Sequence, residues 1–234
     1  VVIVAGVVAA YSRLKRFSNP ERDPSWALPF FLSMLLALVA GSVLGISNYS
    51  AHTAPYMDMR NLNNYVDVSP TKARGQQLMD AGIINFAHGT KLDITKSMGF
   101  RNKITYCVAP ITLGDEPLAN YDFWSVGTDC CSTSKADFHC NGFNNPHSNG
   151  GLRLMDDSKR AFYRLAVQQA EAAYHIKASH PLFFEWVEDP MGKVADWRKA
   201  GWNNCVAWIW AYGVFQLFSV AAVALAFSRL GSLN

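Results

Sequence analysis

The chain has 234 residues, of which 50% are hydrophobic and only 17% charged, against roughly 25% charged in ordinary soluble domains. Its net charge of +3 comes from 21 basic and 18 acidic residues, which is too balanced for a nucleic-acid-binding stripe. The apolar residues fall in long runs, so the averages conceal an alternation of membrane-like and globular stretches.

Residues 1–11, VVIVAGVVAAY, form a short apolar opening. Three readings stay open for it: the end of a third spanning helix, an interfacial stub, or the remnant of a targeting segment. Residues 12–26 form a linker with Arg13, Lys15, Arg16 and Arg22 against Glu21 and Asp23. Residues 27–47 then carry no charge, and about 20 apolar helical residues cross a bilayer core of about 30 Å. Pro29 sits in the first turn of this helix, where its missing N–H costs nothing. Trp26 and Tyr49 flank it as interfacial aromatics are expected to. A second uncharged stretch, 202–228, is also long enough to span, and residues 229–234 form a tail with Arg229.

Between the two helices lies 48–201, with 16 basic and 16 acidic residues. The excess positive charge therefore belongs to the linker and tail, and the positive-inside rule places the large domain on the opposite side of the membrane. Four of the five cysteines, Cys107, Cys130, Cys131 and Cys140, lie in that domain, and Cys205 lies in the second helix. Clustered cysteines on an oxidising side imply two disulfides. Adjacent cysteines bond each other only with strain, so Cys107 is expected to pair with one of Cys130 and Cys131, and Cys140 with the other. The sequon Asn48-Tyr49-Ser50 lies too near the membrane to be a good glycan acceptor.

Within the domain, Ser69-Pro70 predicts the start of a short helix running to Asp80 and stopped by Gly82. Residues 83–87 and 91–95 flank His88-Gly89 and predict a hairpin. Residues 103–111 and 121–127, rich in β-branched and aromatic residues, predict two more strands. The Asn- and Gly-rich stretch 141–151 predicts a loop. Asp157 or Ser158 caps a helix to Lys177, with Phe162, Leu165, Ala166, Gln169, Ala172, Ala173 and Ile176 as its inward stripe. Asp189-Pro190 and Gly192 predict a break before the last helix. These elements describe a small disulfide-linked α+β domain carried by two transmembrane helices.

Few residues suggest chemistry. The segment from Cys130 through His139 and Cys140 to His147 holds enough nitrogen and sulfur for zinc. It lacks the spaced cysteine pair that structural zinc uses, so no metal is expected. No nucleophile elbow, zincin or phosphate-loop motif occurs, and His52, His88, His175 and His180 are scattered. Asp156-Asp157 reads as helix-start chemistry rather than a carboxylate dyad. Ala37, Gly41 and Gly45 repeat every four residues and form a face that another helix or a flat ring could approach. Gln216, inside the second helix, needs a polar partner, either a neighbouring helix or a chlorophyll magnesium. Trp208 and Trp210 are candidate contacts to a partner or pigment.

Four blocks, TYCVAPI (105–111), FWSVGTDCC (123–131), FHCNG (138–142) and PLFFEWVEDP (181–190), resemble a family of membrane proteins abundant in dinoflagellate algae. In that family a four-cysteine domain precedes a last transmembrane helix. The resemblance runs from about Asp23 to the C-terminus, and only the four cysteines carry over residue by residue, as structural bonds. Similar chains occur as lineage-specific subunits of photosystem I with its antenna proteins. The resemblance thus implies a thylakoid location with a lumenal domain. It implies a non-catalytic accessory subunit contacting photosystem core, antenna proteins and membrane lipids, with chlorophyll or carotenoid at the helix periphery. Rival readings are an accessory subunit of a mitochondrial respiratory complex, a thiol-redox protein using Cys130 and Cys131, and a surface receptor subunit.

Overall fold

The computed structural model describes Val2, Ile3, Gly6, Val7, Ala10, Tyr11 and residues 27–231, and the first six are helical. The expected basic linker, with Arg13, Lys15, Arg16, Arg22 and the flanking Trp26, lies outside the described residues, as do positions 232–234 of the tail. The chain divides into two compact units: residues 1–53 with 198–234, and residues 54–197.

The first unit is helical. Helix α1 spans Ala27–Asn48 and passes into a π-helical turn, Tyr49–Thr53. Among the described residues two helices are long and apolar enough to cross a membrane, and the apolar window of each is 0% buried. That exposure excludes a buried core helix for either.

The second unit opens with α2, Ala54–Arg60, followed by β1, Asn63–Val68. Seven further strands follow in chain order: β2 Ala81–Phe86, β3 Thr90–Leu92, β4 Met98–Asn102, β5 Ile104–Leu113, β6 Phe123–Thr128, β7 Gly150–Arg153 and β8 Leu182–Val187. Helix α3, Asp157–Tyr174, joins β7 to β8, and α4, Pro190–Gly231, closes the chain.

The strands form one mixed sheet in the order β1-β2-β7-β8-β6-β5-β3, with β4 also on β5. The pairs β1/β2 and β6/β8 are parallel, and the others antiparallel. The long β5 holds two partners in succession, β4 along Ile104–Val108 and β3 along Ile111–Leu113.

Period-two alternation sends neighbouring side chains to opposite faces. On one face Phe86, Cys107, Ala109, Ile111, Phe123, Phe138, Phe184 and Trp186 form a core under the loops. On the other, Tyr106, Val108, Trp124, Val126 and Phe183 pack beneath α3. Because both faces are covered, β5 and β6 are buried almost continuously, as a two-sided strand must be.

Several local expectations are corrected. The predicted helix from Ser69 is instead a turn, with the Ser69 carbonyl accepting from Lys72 and Ala73 N–H, followed by a 3₁₀ turn at Gly75–Leu78. Gly82 lies inside β2, where a Cβ would come within 2.6 Å of Leu62 Cβ. The residue is glycine because of close approach, not helix termination.

The predicted hairpin does not form. A tight turn links β2 and β3, with Gly89 at φ 84°, but β2 pairs β1 and β7 while β3 pairs β5. The inward stripe of α3 is Tyr163, Ala166, Val167 and Ala170. Leu165, Gln169, Ala172 and Ala173 are exposed. The true stripe lies about one residue away from the predicted one, anchored by Tyr163 against Tyr106 and Phe183. Its N-cap is Asp156, whose side chain accepts from Ser158 N–H, and His175 ends it in the left-handed region.

The last helix begins at Pro190, not near 202. Asp189 Oδ1 accepts from Gly192 N–H at 2.8 Å, so Asp-Pro is a cap followed by the first helical residue rather than a break. A Cβ on Gly192 would strike the Asp189 carboxylate at 2.2 Å.

Candidate functional site

Two places gather the residues singled out from the sequence, one in each compact unit. In the helical unit, α1 and the membrane-length part of α4 meet. The Tyr212 hydroxyl donates to the Ser33 carbonyl at 3.1 Å, and Gln216 Nε2 donates to Ser33 Oγ at 3.2 Å. Gln216 therefore finds its polar partner on the neighbouring helix, while its Oε1 is buried without a hydrogen bond.

Farther along, Asn48 Nδ2 donates to the Gly201 carbonyl at 2.9 Å. Gly201 is buried, and a Cβ there would lie 3.4 Å from His52 Cβ. The π-helical turn beside it holds His52 with its Nδ1 buried and unbonded.

Between these contacts the helices leave a groove of about 480 Å³ lined by Ala37, Gly41, Gly45, Cys205 and Trp208, among others. The small-residue face and Trp208 are thus brought together. A Cβ on Gly41 or Gly45 would meet nothing within 4 Å, so the face is open rather than filled by the partner helix. Trp210 is not among the lining residues and is 71% exposed. Cys205, the free thiol, is exposed. No lining residue of the groove is a histidine.

In the sheet domain the four cysteines form two disulfides, Cys107–Cys131 and Cys130–Cys140. This resolves the pairing left open by the sequence. The loop that carries Cys130, Cys131 and Cys140 lies over a row of three strand residues. Gly99 of β4 and Gly127 of β6 both face Cys107 of β5 in the ladder.

Both glycines admit the close approach of the cysteine loop, and at Gly99 the Ser132 carbonyl oxygen would lie 2.6 Å from a Cβ. A Cβ on Gly99 would lie 2.8 Å from Cys131 Sγ, and one on Gly127 2.6 Å from both Cys130 Sγ and Cys140 Sγ. Asp137 ties the loop's tip. Its Oδ1 accepts from Ser132 N–H at 2.6 Å, and its Oδ2 accepts from the Ser132 hydroxyl. These bonds, the hydroxyl's first, hold the Asp137 carboxyl below the usual carboxylate range.

The Sγ atoms of Cys107, Cys130 and Cys140 lie within 4.8 Å of one another. That would suit a metal, but as disulfide sulfurs they have no thiolate to offer one. His139 turns its Nδ1 to the Asp137 carbonyl at 2.8 Å.

Arg153 of β7 is a partly buried cation. Burial and the nearby Arg160 lower its pKa to about 10, and its guanidinium lies over the Phe184 ring at 5.6 Å.

Sequence reasoning missed Ser33, Tyr212, Gly99 and Gly127. Ser33 and Tyr212 are ordinary residues in apolar runs, and the glycines acquire meaning only through strand register. No family profile, curated protein or solved structure matches the chain.

Proposed function

We propose that the chain is a non-catalytic accessory subunit of a photosynthetic membrane complex, photosystem I with its light-harvesting antenna. In this reading its two long helices span the thylakoid membrane and its disulfide-linked domain lies in the lumen. The observation that carries the membrane part is the exposure of both apolar helices. Leu38, Val39, Val43, Ile46, Ile209, Leu217 and Phe218 are each more than half exposed, and in water that surface is untenable. The photosynthetic part rests on the resemblance of the four sequence blocks.

The open face of Ala37, Gly41 and Gly45 supports an assembly role. Small residues let a neighbouring helix come close enough for dispersion contacts to replace those made with lipid tails. A flat pigment ring or a polyene in the same groove would lie against mostly apolar walls, with Asn48 and Cys205 as polar lining groups.

The test is the double variant Gly41→Leu, Gly45→Leu. Both positions face empty space within the chain, so the variant is expected to fold while blocking a neighbour. The wild type should co-migrate with chlorophyll-containing complexes on native gels, and the variant should be released. Migration of both as free, chlorophyll-free protein would overturn the photosystem reading.

A further inference from the structure

The two disulfides occupy one site. Cys107 and Cys140 are buried at 0% and 2% exposure, whereas Cys130 and Cys131 are half-buried. Cys131 is bonded to Cys107, and Cys107 Sγ lies within 4.8 Å of both sulfurs of the other bond. Gly99 and Gly127 keep side-chain carbon out of this space. Such an arrangement is more than two separate staples. A thiolate released from one bond is already beside the other, and thiolate attack on a neighbouring disulfide is how disulfides exchange.

We propose that the four cysteines are a two-electron thiol–disulfide exchange centre for an external dithiol, whose reduced form keeps a Cys107–Cys140 bond and presents Cys130 and Cys131 as adjacent thiols. This is independent of which complex the chain belongs to.

One thiolate of the dithiol attacks the half-buried Cys131 Sγ. A mixed disulfide forms there, and the Cys107–Cys131 bond breaks with its electron pair on Cys107 Sγ. The Cys107 thiolate attacks Cys140 Sγ, forming Cys107–Cys140 and expelling Cys130 as a thiolate, which takes a proton from solvent. The second thiol of the dithiol then attacks the mixed disulfide. It leaves as a cyclic or intramolecular disulfide and frees Cys131, which also ends protonated. One disulfide has been reduced and one dithiol oxidised.

Burial sets the direction of the internal step. A thiolate on Cys107 is enclosed by protein, where charge is penalised, whereas Cys130 reaches solvent. The buried pair therefore ends bonded, and the accessible pair ends reduced.

The experiment uses the full chain in detergent with one equivalent of dithiothreitol, an acid quench, alkylation and peptide mapping. Besides the group that the free Cys205 takes in every sample, the expected product has a Cys107–Cys140 bond, alkyl groups on Cys130 and Cys131, and affinity for a phenylarsine oxide resin, which captures closely spaced dithiols. A one-equivalent product that keeps either original bond, with both partners of the other alkylated, overturns the proposal.

The variant Cys131→Ser begins with Cys107 as the odd sulfur. Cys205 apart, the proposal expects the alkyl group to appear on Cys130, and alkylation of Cys107 with Cys130 unmodified would contradict it. If this variant fails to fold, the wild-type mapping decides alone.

Discussion

The sheet domain and the helix pair hold themselves together in opposite ways. In residues 54–197 the large side chains point inward from both faces of a sheet, and Trp124 and Trp186 are at most 2% exposed. One covalent bond fastens a loop to β5, and a second closes that loop on itself. In the helical unit the large side chains point outward, and polar links between α1 and α4 include those of Ser33 with Tyr212 and Gln216, and of Asn48 with Gly201. The domain brings its own solvent-free interior. The helices leave their apolar surface open.

The comparison breaks most visibly at the disulfides. Losing either bond is expected to cost the domain about 2–5 kcal/mol. Full reduction should therefore abolish the near-ultraviolet circular dichroism of the buried tryptophans while leaving the helical far-ultraviolet signal of the detergent-bound helices. Simultaneous loss of both signals would show that the two units unfold as one.

The next effect is at the cap of α4. Asp189→Ala removes the acceptor for Gly192 N–H and should destabilise the domain by about 0.5–2 kcal/mol, read as a shift in its chemical-denaturation midpoint.

A pH effect sharpens the contrast further. Asp137 titrates below its usual range when folded, because Ser132 donates to its carboxylate. A depressed pKa contributes stability that is present above the unfolded value of about 3.9. That contribution is lost as pH falls through the folded value. Stability of Asp137→Asn should consequently fall less steeply than wild type below about pH 4. Parallel acid titrations of the two would count against this account.

The smallest effect belongs to the helices. Hydrogen bonds between membrane helices average about 0.6 kcal/mol, so Gln216→Leu should change the thermal midpoint of the full chain in detergent only slightly. A loss comparable to that of a disulfide would mean that the pair is held by specific bonds after all, and the contrast drawn above would fail.

What was legible follows the same division. The two long helices and the small face of Ala37, Gly41 and Gly45 are local in sequence, and charge-free length with four-residue spacing is enough to read them. The four cysteines were also legible, down to the exclusion of a Cys130–Cys131 bond. The sheet was not. Strand β8 lies in PLFFEWVEDP, where burial on both faces removes the alternation that marks a strand, and its parallel pairing with β6 is invisible along the chain. Residues 83–95 have the chemistry of a hairpin, yet β2 pairs with β1 and β7 while β3 pairs with β5. The α3 stripe was misplaced because Leu165 and Ala172 weigh as much as Tyr163 and Val167 in a local pattern. Only the aromatic pocket of Tyr106 and Phe183 decides between them.

The row of Gly99, Cys107 and Gly127 also bears on the order of events during maturation. Cys130 and Cys131 are neighbours in the chain, and nothing local distinguishes them as partners for Cys107 or Cys140. What sorts them is the space above the two glycines, and that space exists only once β4, β5 and β6 are in register. Sheet assembly must therefore come before correct oxidation. A chain oxidised too early would be committed to the wrong partners until an isomerase released it, and its yield would be governed by the relative speeds of strand docking and thiol capture.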